Sequence, residues 1–526
     1  MATTKAEQQP KEVERRNKTF RQWKGVFTQA SRVSCPEDHW YELINLIPIG
    51  DANLHTVPNV SGVLVDYATD EIYWAQFATL NYVDYMFLFS TAGNIYQYDI
   101  VAGVSTLINS GSPLSGSGSR MDQWKNSAVL FIDSSGYYAW DGTSFVLISG
   151  PGVPSYGTDI AVYQGRVWIA QGRVITLSGP DDYTAASFLP VNGAATVNLT
   201  DPQLRGSVVR MVSANGYLYI GGRSSWNIIS DVYIPTNATT GASAVPPTPV
   251  FSNTNIQSNV GCDQPASIFL YGRDVLFANR YGAQVMGGVD VQRLSQDIDG
   301  TWQYIDFSQQ ISGGCAVVQN ILCACFLVIR GHSPDDIEVS GQEDLDEGPS
   351  LACFFNGRWF FVNYGNLTFI AQGMVNNAPA LFGLIDNKLY QLFADRTTSP
   401  ASQWSTPLWG MEDSLADKQV IRAGFELVVS SISGTFVASV DTPNSKSSFS
   451  NAPNISSVQW TNAGGGIVTW VNSGNNAVSW YSGQYLFFSS STPSAYGKYV
   501  GLSGYSSGAV YQLSSVFMDY KLKARY

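Results

Sequence analysis

The sequence is poor in charge. Only 13% of its 526 residues are Asp, Glu, Lys or Arg, whereas 44% are hydrophobic and 13% aromatic. That is about half the usual charged share of a soluble domain, and so apolar a composition excludes a disordered chain. Histidine is scarcer still: His39, His55 and His332 are the only three. Ser-His-Asp and Cys-His catalysis therefore have little raw material. No H-E-x-x-H helix motif occurs. No enzyme activity, cofactor or metal is expected.

Long apolar runs are missing too. The longest is the nine-residue stretch Ile321–Ile329, too short to cross a bilayer as a helix. The opening MATTKAEQQPKEVERRNK is polar and lacks an apolar signal core, so the chain is expected to fold where it is made. The six cysteines, Cys35, Cys262, Cys315, Cys323, Cys325 and Cys353, are too irregular for a disulfide framework and read as reduced, mostly buried thiols. Cys315, Cys323, Cys325 and His332 fit no standard zinc spacing.

What the sequence does have is Gly (49), Tyr (28), Phe (26) and Trp (14), the composition of sheets joined by tight turns. From about residue 60 a unit recurs: an apolar strand, a Gly or Asn turn, then an aromatic-rich strand. It appears as YMFLFSTAGNIYQYD (85–99), AVLFIDSSGYYAWDG (128–142), AVYQGRVWIAQGRVITLSG (161–179) and GYLYIGGRSSWNIIS (216–230), and again around 271–286, 355–366 and 385–395. Each is a hairpin signal. A period near 40–50 residues is the signature of stacked propeller blades. After Pro400 short alternating strands, among them AGFELVVSS, GTFVASVDT, SSVQWTN, GGIVTWVN, NAVSWYS and QYLFFSSS, indicate an antiparallel sandwich. The reading is all-β: an N-terminal arm and extended segment over 1–59, with 1–19 solvated; a β-propeller of six or seven blades over 60–398; and a C-terminal β-sandwich over 399–526. Loop insertions are expected near 234–258 and 332–349. The last strand ends on Lys521, Lys523 and Arg525, charges that would discourage edge pairing.

The net charge of −12 is unevenly spread: residues 51–399 hold 14 Lys/Arg against 29 Asp/Glu, a surplus of 15 acids. A phosphate-gripping surface needs clustered cations, so nucleic acid is expected only as something that passes without sticking. Seven acids cluster in 335–347: Asp335, Asp336, Glu338, Glu343, Asp344, Asp346 and Glu347. They lack the order of a calcium loop and read as a solvated loop or one that faces a lumen and repels phosphate. SQDIDGTW (295–302) is close to the Asp-box of sialidase-type propellers through Ser295, Asp297, Thr301 and Trp302, with Asp299 in the glycine's place. An Asp-box staples a turn and carries no chemistry.

Four stretches together resemble the tail hub or nozzle proteins, also called packaged-DNA stabilisation proteins, of short-tailed bacteriophages. They are FRQWKGVFTQASRVSCPEDHWYELINLIPIGDANLHTVPNV (20–60), GYLYIGGRSSWNIIS (216–230), AGFELVVSS…GTFVASVDT (423–442) and GKYVGLSGYSSGAVYQLSSVFMDYKLKARY (497–526). The resemblance implies a structural subunit of the virion tail, assembled in the host bacterial cytoplasm. It implies a ring homo-oligomer, usually a hexamer, below the portal and adaptor proteins. The ring would continue the DNA channel, help retain packaged DNA until ejection, and carry tail fibres or spikes. It brings no catalytic residues. The alternatives are a carbohydrate- or receptor-binding propeller and, further off, a propeller glycosidase.

Overall fold

The computed structural model describes residues 15–523 except 22, 51–52, 68–69, 112–113, 117, 236–247, 332–344, 346, 432–435, 444, 451–483 and 491–494. The hairpins are fixed by their turns. Two-residue loops with positive φ at both positions match the right-handed twist of the flanking strands and favour Asn, Asp and Gly. Such pairs are Asn81–Tyr82, Gln164–Gly165, Asn215–Gly216, Gln319–Asn320, Asn356–Gly357, Asn376–Asn377 and Asp386–Asn387. The flanking residues pair directly, as in Leu80↔Val83 and Phe355↔Arg358.

The hairpins build seven four-stranded antiparallel blades. Blade 1 spans 72–107, blade 2 120–148, blade 3 159–198, blade 4 210–258, blade 5 269–293 and blade 6 312–362. Blade 7 takes three strands from 367–391 and its fourth, Val65–Asp66, from ahead of blade 1. This swap closes the ring, and blade 7 packs its inner strand on that of blade 1. Apolar residues between blades fill shared layers: Phe87, Phe89 and Phe131 join blades 1 and 2, and Tyr219, Trp226 and Phe277 join blades 4 and 5. Cys315, Cys323, Cys325 and Cys353 are buried in blade 6, with the thiols of Cys325 and Cys353 facing across two strands at 3.5 Å. His332 lies outside the described residues.

Blade 6 does not stop at its fourth strand. Arg358–Val362 pairs in parallel with Glu42–Ile44, and the sheet runs on through Ser402–Ser405, Gly501–Ser506, Phe436–Thr442 and Ser445–Ser450. A second sheet stacks on this extension. Its centre is Val510–Leu522, flanked on one side by Lys418–Ser431 and on the other, end to end, by Arg15–Phe20 and Asn53–Thr56. The two sheets form a sandwich around Trp404, Phe425, Phe436 and Tyr511. The Trp404 indole lies flat on Gly504, where any Cβ would collide with the ring. Aromatic cores of this kind bury 150–250 Å² per ring, roughly.

Several expectations change here. All of the strand Arg15–Phe20 except Phe20 lies in the stretch, 1–19, read as a solvated arm. Only Phe20 in RRNKTF is buried, so composition hides it. Its order comes from backbone pairing with Val516–Lys521, the stack of Phe20 on Trp409 (3.6 Å), and the Arg15–Asp519 ion pair. The extended segment likewise contributes Glu42–Ile44, Leu46–Ile49 and Asn53–Thr56 to the sandwich sheets. Part of the expected 234–258 loop, Val250–Ser258, is the outer strand of blade 4, held by an Asn ladder in which Asn255 donates to Asn227 (2.9 Å). Gly348–Phe355, at the end of the 332–349 loop, is already strand. The last strand is not an edge but is paired on both sides, with Lys521 opposite Arg15 and Gln419. SSVQWTN, GGIVTWVN and NAVSWYS lie outside the described residues.

Candidate functional site

The innermost strand of a blade has one edge toward the axis, and its backbone N–H groups need acceptors. Polar side chains from neighbouring blades supply them. Gln123 of blade 2 accepts from the Thr79 amide of blade 1 (2.9 Å), and Gln76 donates back to the Met121 carbonyl (3.0 Å). Asp122 of blade 2 accepts from Val162 of blade 3 (2.6 Å), and Asp159 of blade 3 from Met211 of blade 4. Gln264 accepts from Ile311, Ser312 from Ile370, and Gln372 from Cys315. These stitches were not singled out in the sequence. Their signal, Gln264 apart, is a Gln, Asp or Ser in the apolar first strand of a unit; Gln264 stands just ahead of the short turn Pro265–Ser267 that precedes blade 5.

The stitches surround a cavity of about 460 Å³ on the propeller axis, with Met121, Ile160, Val212, Leu270 and Met374 among its walls. One cation crosses it. Arg210 of blade 4 pairs with Asp159 (3.2 Å) and donates to Gln76 of blade 1 (3.1 Å). Its guanidinium also lies 5.2 Å from the ring centroid of Trp74, and Arg120 lies 3.9 Å from the same ring. The indole is thus faced by two cations, an arrangement favoured by the ring quadrupole when desolvated. Burial, then Arg210, pulls the Arg120 pKa down to about 10. Burial raises the Asp159 carboxyl, and Arg210 and Arg120 pull it back. Asp122 is pushed up to about 6, by burial first, against the hydrogen bonds from Val162 and Gln123.

The acidic cluster expected as a site is not brought to this cavity by any described residue. Asp335, Asp336, Glu338, Glu343, Asp344 and Asp346 lie outside the described residues, and Glu347 is exposed where the strand Gly348–Phe355 begins. The near-Asp-box forms a short helical turn that staples the N-terminal segment. The Thr28 amide donates to the Asp297 carbonyl (2.7 Å), Thr28 and Thr301 share a hydroxyl bond (3.0 Å), and Gly300 admits the Thr28 carbonyl where a Cβ would clash.

No protein-family model matches the chain, and no curated protein matches it. Among solved structures the chain is similar to U3-55K, at 10% identity over 64% of this chain and 98% of that one, with a TM-score of 0.37. It is similar to the WD40 repeats of RRP9 at 10% identity over 64% and 99% of the two chains, with a TM-score of 0.38. The fold assignment therefore rests on the blades and sheets themselves. Among the described residues no helix is long and apolar enough to cross a membrane, and no group of three or more His, Cys, Asp or Glu is placed to hold a metal ion.

Proposed function

We propose that the chain is a non-catalytic structural subunit of a short bacteriophage tail. Several copies, six in the family it resembles, would form a nozzle or hub ring below the portal and adaptor. The ring would continue the DNA channel, help retain packaged DNA, take part in its ejection, and carry fibres or spikes. The observation that carries this reading is the joining of the chain's two ends. Asn53–Thr56, inside the first resembling stretch, pairs with Val510–Leu522, inside the last. The third stretch, which begins at Ala423, supplies most of Lys418–Ser431, on the other side of that strand. Three of the four resembling stretches thus belong to one sandwich, which is continuous with a blade.

Arg210 interrupts the propeller's own bore, so the DNA path is assigned to the space between copies. The surplus of acids over 51–399 suits a wall that does not grip phosphate. Negative-stain microscopy of virions and of the recombinant protein is the test. Rings with a central pore, and the chain in purified tails, are expected. A strict monomer at every concentration together with absence from tails overturns the reading.

A second reading, a carbohydrate- or receptor-binding propeller, is favoured by Tyr82 and Tyr281, which stand 92% and 68% exposed on blade turns. Aromatic faces of that kind stack on sugars. Binding on a glycan array that Tyr82→Ala and Tyr281→Ala abolish would select it.

A further inference from the structure

Asp122 and Asp159 do the same structural work, yet only one of them has a counter-ion. Asp159 is fully buried and paired with Arg210. Asp122 accepts only the amides of Val162 (2.6 Å) and Gln123 (2.8 Å), and no Lys or Arg nitrogen lies within ion-pair distance of it among the described residues. A carboxylate has about four acceptor positions, so two stay unfilled. Protein encloses the carboxyl on most sides, but it lines the axial cavity and is open to it in part.

The other polar groups lining that cavity are largely committed. The terminal nitrogens of Arg210 are held by Asp159 and Gln76. Gln76 and Gln123 use both ends of their amides on backbone or on Arg210. The indole N–H of Trp74 and the Nε of Arg120 and Arg210 lack acceptors but are sealed from the cavity. Beside Ser213 and Gln372, whose oxygen is taken by the Cys315 amide, the cavity presents one carboxylate without an ion pair among Met121, Ile160, Val162, Val212, Ile268, Leu270 and Met374. A volume of about 460 Å³ is within the usual range of small-molecule sites, which are mostly apolar with a few polar anchors.

We propose that the axial cavity binds a small amphipathic amine, its ammonium on the Asp122 carboxylate and its apolar body along the aliphatic wall. The ammonium supplies the missing counter-ion and fills the open acceptor positions; the tail displaces water from an apolar surface. Arg210 acts on the Asp122 carboxyl from beyond ion-pair distance, and its pairing with Asp159 offsets its repulsion of an incoming ammonium. The site is independent of the tail reading.

Isothermal titration of the full chain with hexylamine, hexanol and hexanoate, all of one chain length, tests the proposal at neutral pH. Saturable one-to-one binding of hexylamine is expected, at least tenfold tighter than hexanol, with hexanoate weakest. Asp122→Asn keeps an acceptor for the Val162 amide and is expected to weaken hexylamine about tenfold or more while leaving hexanol unchanged, as loss of a charge-assisted bond requires. No saturable binding of hexylamine, hexanoate binding as well as hexylamine, or undiminished hexylamine binding by Asp122→Asn overturns it. If the variant does not fold, the ranking of the three probes on the native chain decides alone, because a site anchored by Arg120 or Arg210 reverses it.

Discussion

The propeller and the sandwich are both antiparallel, but they are assembled from the chain in opposite ways. In the propeller each strand pairs with its neighbour in sequence, across turns of two residues such as Asn376–Asn377. The exceptions among the described residues are Val65–Asp66, which closes the ring, and Arg358–Val362, which also pairs with Glu42–Ile44. In the sandwich the local pairs are the hairpins Leu46–Ile49 with Asn53–Thr56 and Phe436–Thr442 with Ser445–Ser450, and the central pairings are long-range. Val510–Leu522 is flanked by strands from residues 15–20, 53–56 and 418–431. Contacts of short sequence separation form early and cheaply, and those of long separation carry the loop-closure cost. The propeller should therefore yield to damage blade by blade, and the sandwich as a whole.

The strongest way to break that contrast is Trp404→Ala. Trp404 is fully buried, edge-on to Trp40 (5.5 Å) and Phe425 (6.4 Å), and flat on Gly504. Truncation of a buried Trp costs about 3–5 kcal/mol. Hydrogen exchange should show protection lost together in 15–20, 402–405 and 510–522, with blades 1–4 unchanged. Loss confined to the Ser402–Ser405 strand would mean the sandwich is not one cooperative unit.

Within the propeller, Asp159→Asn is the next largest. It leaves the Arg210 charge buried without a partner, a loss of about 3 kcal/mol, measurable as a lower midpoint in urea. The effect should centre on blades 3 and 4, which the Asp159–Met211 bond joins.

The same contrast explains what was legible beforehand. Blades announce themselves because each carries its own turn and its own apolar hairpin, as GYLYIGGRSSWNIIS does for blade 4. Arg15–Phe20 could not announce itself: its partner is about 500 residues away and five of its six side chains are polar or charged. Val250–Ser258 is hidden in the same way, by the polar side chains of its Asn ladder. The axial site was not legible either. Asp122 and Asp159 stand in different repeats, and only ring closure brings Arg210 of blade 4 against Trp74 and Gln76 of blade 1. The acidic run was conspicuous because its residues are contiguous, which says nothing of where they meet other groups.

A smaller and opposite effect is expected at Asp122. Its folded pKa, about 6, lies above the ordinary value near 3.9. The folded chain therefore holds more protons than the unfolded chain between these values. Stability should fall as pH rises from about 4 to about 6 and the deficit persist above that. Asp122→Asn removes the buried charge and keeps one acceptor. It should gain up to about 2 kcal/mol at pH 7.5, since a two-unit shift represents roughly 3 kcal/mol before the lost acceptor is counted. Urea midpoints across pH 4–8 should be flatter in the variant. An equal loss of stability at every pH would show that the Val162 bond outweighs the charge.

The smallest effect separates two ion pairs of the N-terminal segment. Lys18 meets Glu37 at 2.7 Å, but both side chains are solvated. Exposed pairs of this kind change stability by less than about 1 kcal/mol, so Lys18→Ala should lie within error of the native chain. Arg32 meets Asp441, which is fully buried, at 2.6 Å and also donates to the Thr406 carbonyl (2.8 Å). Its removal strands a carboxylate inside the sandwich and should cost several times more. If salt screens both variants equally, the Arg32 pair is as solvated as the Lys18 pair, and the N-terminal segment only decorates the sandwich. If 1 M NaCl leaves the Arg32→Ala loss unchanged, as the roughly 3 Å screening length at that salt implies for a pair shielded from solvent, the segment is part of its core.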